Sequence, residues 1–499
     1  MLDVGLIIAA AWFVLPLLVI GREPEIQLPF GNYITGGLSQ RNVLIFLTVL
    51  WVRLHLRADS GEAWLPRFCK GLSPFLGSLL IGVVAFLMYL NIGSCRVWPS
   101  GDTIPNKLLP ISILEQGSLD LGVFRQGIPQ GRSYGLYKIG DRWISAYPPG
   151  TSLTALPVYA AFSVFLPDTF HSWRWAYSVP EGDDLLNVAN FMEQFSASLI
   201  AALSVVVFWR ICGRVTKDRK ASLWFTVAYG LGTSLLSTAS LALWQHGPAC
   251  LFLSLMVLLL LRAEEKGGWL LALAGLSGGW AYVCRPTVAV VLAVFALWVV
   301  WKFRWRAAGF LIPCAVPFIG VMIWNQAIYG NVMGGYGPFV TAFVAFDWRV
   351  FLTLLFSPSR GLFIFSPFLL FAVTAGLRQL FKSPLNLPSF CLYGAVAIVI
   401  LFSCWETWAA GSSFGSRYLC EAALFLSLLL PFCFRLPAVS RWLREGFILA
   451  VFFSCFIHIT GARLGDHSWT SKAFRGDNLE AAWQWRDSQL VWTMIGGRD

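Results

Sequence analysis

Residues 187–220 read NVANFMEQFSASLIAALSVVVFWRICGRVTKDRK, and they join an apolar run to the strongest basic cluster in the chain. The run at 187–209 is long enough to cross the hydrocarbon core of a bilayer as a helix. The basic cluster at 210–220 is typical of the cytoplasmic end of a membrane span. This stretch therefore predicts a transmembrane helix and the direction in which it runs.

The composition extends this prediction to most of the chain. Of 499 residues, 57% are hydrophobic and only 13% are charged. A soluble protein of this length would expose more polar surface than this composition can supply. The net charge is +11, but the basic residues lie in short clusters between apolar runs. Membrane topology explains that charge better than nucleic-acid binding does. We predict an all-α polytopic membrane protein, with the lipid bilayer as partner and no nucleic acid.

About thirteen spans follow from the apolar runs, and basic clusters mark the loops predicted to be cytoplasmic. The predicted spans are 4–20, 34–52, 74–92, 187–209, 221–238, 248–262, 269–284, 287–301, 307–324, 361–377, 388–404, 418–434 and 446–460. The basic loops are 53–70, 210–220, 262–266, 302–306, 378–382 and 435–444. The N-terminus is therefore predicted to be cytoplasmic and the C-terminus external. The first span lacks a basic start and a cleavage site, so we expect it to be an uncleaved span.

The apolar segment 151–167 is not counted among the spans. If it crossed the bilayer, the cluster 210–220 would face the outside, against the positive-inside rule. We therefore predict an interfacial helix on the outer surface, reached through the YPPG turn at 147–150. Residues 93–186 then form one large external loop.

Three regions follow from this map. Residues 1–73 form an N-terminal two-span extension, and residues 74–435 form the core. Residues 436–499 contain the last span and a Trp-rich external tail. The chain has 11 cysteines without paired spacing or a C-x-x-C motif, which favours core packing over disulfides or a metal site.

Polar and aromatic side chains gather in the loops predicted to be external. A carboxylate beside several cations suits a reaction between a lipid-linked sugar phosphate and a hydroxyl group. The carboxylate can accept the proton of the hydroxyl, and an arginine fork can hold the phosphate. The candidate residues are Asp102, Lys138, Arg142, Tyr147, His246, Arg285, Arg360, Trp405, Glu406, Arg417 and Tyr418.

Simpler roles stay open for these residues. Asp102 also fits a solvated loop acid or the N-cap of a helix at 105–116. His246 fits an ordinary loop histidine, and Arg285 fits a snorkelling side chain at the end of a span. Arg417 and Glu421 are four residues apart, as in a helical ion pair. Lys107, Lys138 and Arg142 fit contacts with solvent or lipid head groups, and Trp405 fits an interfacial aromatic belt.

The layout resembles the GT-C superfamily of membrane glycosyltransferases, in particular the branch of protein O-mannosyltransferases and lipid A aminoarabinose transferases. The segment GDTIPNKLLPISILEQGSLDL (101–121) is similar to that family's catalytic Asp followed by a juxtamembrane helix. AYPPGTSLTALPVY (146–159) is similar to its YPP turn and interfacial helix, and GSRYL (415–419) fits its phosphate side. The resemblance covers roughly residues 74–435.

The resemblance implies a GT-C fold and an inverting glycosyltransferase of the bacterial inner membrane, acting on its external face. Asp102 would be the general base. A polyprenyl-phosphate sugar would be the donor, with no cofactor, and a lipid or glycan would be the acceptor. The donor phosphate would be bound by Arg417 and Tyr418 with Arg360, Arg285, Lys138 and Arg142. The substrate pocket would hold Tyr147, His246, Trp405 and Glu406.

The sequence departs from the family at two positions. Thr103 follows Asp102, where family members often carry a second acid. Oligosaccharyltransferases of the same superfamily bind a divalent metal with further acids in the second external loop, and that loop here, 239–247, contains no acid. We therefore expect no metal. No large soluble domain follows residue 460, which favours a lipid or glycan acceptor over a peptide. The alternatives are a lipid-linked glycan flippase or transporter, a non-catalytic polyprenyl-phosphate binder, and an O-antigen ligase or polymerase.

Overall fold

A computed structural model describes the chain from residue 73 onward, with gaps. The described residues are 73–93, 101–128, 135–167, 170, 184–434, 439–464, 469–470 and 478–495. The predicted spans 4–20 and 34–52, and with them the proposed N-terminal extension, lie outside the described residues.

The described residues form a bundle of α-helices with one short β-hairpin. The first helices are α1 (Pro74–Gly93), α2 (Ile104–Gln116), α3 (Gly150–Phe165), α4 (Asp184–Thr216), α5 (Arg219–Leu231), α6 (His246–Lys266), α7 (Trp269–Cys284), α8 (Ala289–Phe303) and α9 (Ala308–Tyr329). The later helices are α10 (Trp348–Phe356), α11 (Leu362–Phe365), α12 (Leu369–Lys382), α13 (Leu387–Ser403), α14 (Cys420–Cys433), α15 (Arg441–Leu464), α16 (Leu479–Ala482) and α17 (Gln489–Ile495). The hairpin pairs β1 (Leu136–Ile139) with β2 (Arg142–Ser145) in antiparallel register.

Among the described residues, five helical stretches are long and apolar enough to cross a membrane. They are Pro74–Gly93, Ala189–Thr216, His246–Glu265, Pro286–Tyr329 and Arg441–Leu464. Large apolar side chains on their outer faces are exposed, for example Phe75 at 75%, Leu297 at 68% and Ile312 at 65%. Apolar surface of this extent is covered by lipid rather than by water. The protein is therefore a membrane protein, and its described residues form an all-α structure apart from the hairpin.

Helices occupy the apolar runs predicted as spans within the described residues, but two of those runs are interrupted. The run 221–238 is helical only to Leu231 and then forms a π-helical turn at Leu235–Ala239. The run 361–377 is split into α11 and α12. The break has a physical cause, because Pro367 has no backbone N–H to continue the helix. The Ser366 hydroxyl instead donates to the Gly232 carbonyl, 2.7 Å away.

The bundle is centred on α14, in which every residue from Cys420 to Pro431 is buried. Helices α12 and α13 pack on it, and α8 packs on α13. Elsewhere α4 packs against α1 and α6, while α7 packs against α6 and α9. Close approach of α7 to α9 depends on Gly279, where an added Cβ would lie 2.4 Å from the Cys314 carbonyl oxygen. Small residues allow such backbone contact between membrane helices.

The two ends of the bundle collect different loops. At one end, Arg214 contacts Glu265, and Lys302 Nζ lies 3.3 Å from Glu264 Oε1. These residues belong to or flank three basic loops predicted to be cytoplasmic. At the other end, the loops predicted to be external meet around Asp102. The predicted grouping of these loops agrees with the contacts, while the side of the membrane stays a prediction.

Helix α2 is fixed to the bundle by a buried ion pair. Lys107 Nζ lies 2.6 Å from Glu193 Oε2 and 2.6 Å from Asn190 Oδ1, both on α4. Glu193 Oε1 also accepts a hydrogen bond from the Leu243 amide at 3.1 Å. The expectation that Lys107 contacts solvent or lipid head groups was therefore wrong. The paired carboxylate and the Asn190 amide oxygen offset part of the cost of burying the ammonium group.

Candidate active site

Asp102 lies just before α2, and its side chain faces other loops instead of capping the helix. Thr103 occupies the N-cap position and makes no side-chain cap bond. Asp102 Oδ1 accepts a hydrogen bond from the Tyr147 hydroxyl at 2.8 Å, and Oδ2 accepts one from Arg417 Nη1 at 2.9 Å. The Asp102 side chain is 27% exposed and that of Arg417 only 7%. The carboxylate is thus held at the edge of the protein, with part of its surface accessible.

Arg417 is placed by a short 3-10 turn, Arg417–Leu419, that leads into α14. Its guanidinium carbon lies 4.0 Å from the ring centre of Trp244 and 5.3 Å from that of Tyr418. Stacking on aromatic faces holds a guanidinium plane and leaves its edge N–H groups for anions. The two rings therefore fix the orientation in which Arg417 meets Asp102.

A second charged group lies one turn along α14. Glu421 Oε1 is 3.1 Å from His246 Nδ1 and 3.1 Å from Arg285 Nε, and all three side chains are buried. The arginine contact is an ion pair without the angle of a hydrogen bond. Arg285 Nη1 lies 3.0 Å from His246 Nε2. Since Arg285 can only donate, Nε2 accepts and the imidazole proton sits on Nδ1, facing Glu421.

This group settles the simpler roles of its members. Arg285 does not snorkel to the membrane surface, and His246 is the first residue of α6 instead of a loop histidine. Glu421 pairs with His246, at the start of α6, and with Arg285, just after α7, instead of forming the helical ion pair with Arg417 that the spacing suggested. The four-residue spacing of Arg417 and Glu421 did not indicate where their hydrogen bonds go.

The ring of Tyr418 lies within 6 Å of both arginines, Arg285 and Arg417. It stacks on Phe402 with ring centres 4.5 Å apart. The guanidinium carbon of Arg285 lies 5.9 Å from the Tyr418 ring centre and 5.5 Å from that of Phe402. Tyr418 therefore contributes an aromatic face, and the phosphate contact that the sequence predicted for it stays a prediction.

Tyr147 reaches Asp102 because the YPPG turn is packed tightly against α7. At Gly150, an added Cβ would lie 2.5 Å from the Val283 carbonyl carbon, so only glycine allows the start of α3 to sit there. The helix predicted at 151–167 is present as α3, and it contacts α2, α4 and α7. This contact brings the turn next to Arg285, which follows the end of α7.

Three residues that the sequence analysis did not select complete the group. Trp244 lies under Arg417, and the next residue, Gln245, accepts a hydrogen bond from the Tyr336 hydroxyl at 2.8 Å. The Tyr336 ring meets the Tyr147 ring edge to face, with centres 6.3 Å apart. Burial raises the pKa of the Tyr336 phenol, so the hydroxyl keeps its proton and acts as a donor. Trp244 and Gln245 directly precede the candidate His246 in the stretch ALWQHGPA (242–249), so proximity in sequence to that candidate was the available signal for two of these three.

Arg360 has a different environment from the one predicted. Its Nη1 donates to the carbonyls of Ser413 and Gly415 and to Gln489 Oε1, at 2.5, 3.1 and 2.8 Å, and its Nη2 donates to the Gly411 carbonyl at 2.5 Å. Gln489 belongs to the C-terminal helix α17. These bonds connect the loop before Arg417 to the C-terminal tail. Arg360 therefore contributes to the site by holding that loop in position.

The remaining candidates lie at other places. Lys138 and Arg142 are exposed on the hairpin. Trp405 is buried against Phe343, with ring centres 4.6 Å apart, and Glu406 is exposed. Their roles in binding a donor or an acceptor stay predictions.

Within the described part of the chain, no three His, Cys, Asp or Glu side chains are grouped so as to hold a metal ion. Comparison with protein families, with curated proteins and with solved structures finds no significant match for this chain.

Proposed function

We propose that this protein is a membrane glycosyltransferase of the GT-C type, in the bacterial inner membrane and acting on its external face. It would transfer a sugar from a polyprenyl-phosphate donor to a hydroxyl of a lipid or glycan acceptor. The observation that supports this most is the 2.9 Å contact between Asp102 Oδ2 and Arg417 Nη1 at one end of the apolar bundle. The phosphate of a polyprenyl lipid lies at such an end, because its hydrocarbon chain stays in the bilayer.

The first step is an exchange of anions at Arg417. The donor phosphate replaces the Asp102 carboxylate on the guanidinium edge, while Trp244 and Tyr418 keep the guanidinium plane in place. Arginine suits this role because two parallel N–H groups match two phosphate oxygens. Asp102 keeps its bond from Tyr147 and gains a free oxygen that can accept a proton.

The second step is displacement at the sugar. The acceptor hydroxyl oxygen forms a bond to the anomeric carbon on the face opposite the phosphate, and its proton passes to Asp102. The bond between the anomeric carbon and the phosphate oxygen breaks, and its electron pair stays on the phosphate. The products are the glycosylated acceptor, with inverted configuration, and polyprenyl phosphate, whose added negative charge Arg417 stabilises.

The buried group of Glu421, His246 and Arg285 supports this arrangement. The Glu421 carboxylate neutralises Arg285, and the guanidinium groups of Arg285 and Arg417 both lie within 6 Å of the Tyr418 ring centre. A site whose charges are already paired and oriented does not need to reorganise as the phosphate charge grows.

The experiment uses the full chain in liposomes with radiolabelled undecaprenyl phosphate glucose as donor and a bacterial lipid extract as acceptor. We expect label to move to a new product while free undecaprenyl phosphate appears in equal amount, and we expect Asp102→Asn to prevent both. A flippase would instead change the leaflet in which the labelled lipid lies and leave its glycosidic bond intact. That result would overturn the proposal.

A further inference from the structure

We infer that Gln245, Tyr336 and Arg285 form a subsite that binds hydroxyl groups of the donor's sugar. The inference rests on the proposed function and extends it to the part of the donor that decides specificity. Contacts already described connect this subsite to Asp102. The Tyr336 hydroxyl donates to Gln245 Oε1 at 2.8 Å, its ring meets that of Tyr147, and Tyr147 donates to Asp102.

Three donors in the subsite have no hydrogen-bond partner among the described residues: Gln245 Nε2, Arg285 Nε and Arg285 Nη2. Arg285 Nε faces Glu421 in the ion pair, so Gln245 Nε2 and Arg285 Nη2 are the two that are open to a ligand. Gln245 is 7% exposed and Arg285 is 6% exposed, so bulk solvent does not satisfy them. Buried donors are nearly always paired in proteins, and an unpaired pair beside a candidate catalytic carboxylate indicates a group that a ligand supplies.

The charges of the subsite indicate what kind of group this is. Glu421 lies 3.1 Å from Arg285 Nε and already compensates its charge. Gln245 is neutral, and Tyr336 keeps its proton. A further anion would therefore lack a counter-charge here, whereas a neutral oxygen acceptor fits both open donors. The phosphate fits better at Arg417, because there it takes the place of the Asp102 carboxylate and Arg417 still faces one anion.

A sugar hydroxyl is the acceptor that fits best. The amide of Gln245 can be oriented in two ways, and either orientation leaves one polar atom without a protein partner. A hydroxyl both donates and accepts, so it satisfies the amide in either orientation. Neighbouring hydroxyls on one sugar ring can serve Gln245 and Arg285 together. The subsite therefore favours a neutral, hydroxyl-bearing sugar over one that presents a carboxylate to Arg285.

The test measures equilibrium binding of two lipids to the full chain in nanodiscs: undecaprenyl phosphate and undecaprenyl phosphate glucose. For the unmodified protein we expect tighter binding of the glucose lipid. Gln245→Leu should weaken binding of the glucose lipid about 5- to 10-fold and leave that of undecaprenyl phosphate unchanged, because only the sugar loses a hydrogen bond. Tyr336→Phe, which removes the hydroxyl that orients the amide, should change binding in the same direction.

Gln194→Leu is the matched control. Gln194 is also buried, at 3% exposure, but its Nε2 donates to the Leu90 carbonyl at 3.1 Å, on the α1–α4 contact. This variant should leave the preference between the two lipids unchanged. Equal binding of both lipids by the unmodified protein, or an equal loss for both in Gln245→Leu, would overturn the inference. If neither lipid binds, the proposed function itself fails, and that outcome is distinct from the first two.

Discussion

The strongest consequence of the Asp102–Arg417 contact is that one substitution should change the rate of transfer and the affinity for the donor in opposite directions. In Asp102→Asn, the side-chain oxygen can still accept the 2.8 Å hydrogen bond from Tyr147, so the loop keeps its position. The variant loses the negative charge that pairs with Arg417. It also loses the basic oxygen that would accept the acceptor's proton.

The structure sets the size of both effects. Removal of a general base should lower kcat by roughly 10²- to 10⁴-fold. The ion pair that the donor must displace is partly exposed, with the carboxylate at 27% and the guanidinium at 7%. Exposed pairs contribute about 0.2–1 kcal/mol, and hydrogen bonds to buried charges contribute about 1.5–3 kcal/mol. A displacement cost of about 1 kcal/mol for this pair means that Asp102→Asn should bind the donor about fivefold more tightly.

The assay combines single-turnover transfer from undecaprenyl phosphate glucose with equilibrium binding of the same lipid. Glu115→Gln is the control, because it makes the same chemical change at the far end of α2. A loss of both rate and affinity in Asp102→Asn would mean that the carboxylate only shapes the pocket. A near-normal rate would remove Asp102 from catalysis altogether.

Three further predictions concern the supports of the site. Arg417→Lys should keep a positive charge near Asp102 but lose the planar fork of the guanidinium group. We expect about 10-fold weaker binding of undecaprenyl phosphate, measured by competition. Unchanged binding would exclude a bidentate phosphate contact. Lys107→Met should lower the free energy of unfolding by about 3–5 kcal/mol, because Glu193 is left buried without its cation. The double variant Lys107→Met with Glu193→Leu should recover most of the lost melting temperature, and additive losses in the double variant would contradict this. Gln489→Ala should raise the KM for the donor with little change in kcat, since it loosens the loop that Arg360 holds. A loss of kcat at constant KM would instead mean that this loop takes part in the chemical step.

The helical part of the loop predicted to be external was well predicted, because residues close to each helix end determine where the helix begins and ends. Helix α2 was expected at 105–116 and is observed at Ile104–Gln116. Pro105 sits in its first turn, where a missing N–H costs nothing, and Gly117 ends it with φ of 58°. The YPPG turn and α3 were predicted for a similar reason, because the two prolines and the glycine of the turn lie directly before the predicted helix. These signals act over a few residues, so a single sequence carries them.

The partners of the charged residues were less well predicted, because they depend on contacts distant in sequence. Asp102 and Arg417 are 315 positions apart, and only the packed bundle decides that they meet. The four-residue spacing suggested that Glu421 pairs with Arg417. Instead, the start of α6 and the end of α7 bring His246 and Arg285 to within 3.1 Å of the Glu421 carboxylate. Topology could place these loops on one side of the membrane. It could not assign one anion to one cation.

Arg360 shows why an arginine in a loop predicted to be external is weak evidence for a phosphate site. In the sequence SPSRG it looks like an exposed loop cation, yet it is among the most deeply buried large side chains. Its donors are used by three backbone carbonyls of the loop before Arg417 and by Gln489, and Trp469 lies against its guanidinium. A guanidinium that organises a loop has its N–H groups directed at carbonyls, whereas one that binds phosphate needs an anion it can exchange. By that criterion Arg417, which contacts a partly exposed carboxylate, is the better phosphate ligand, and Arg360 determines where the loop that carries Arg417 lies.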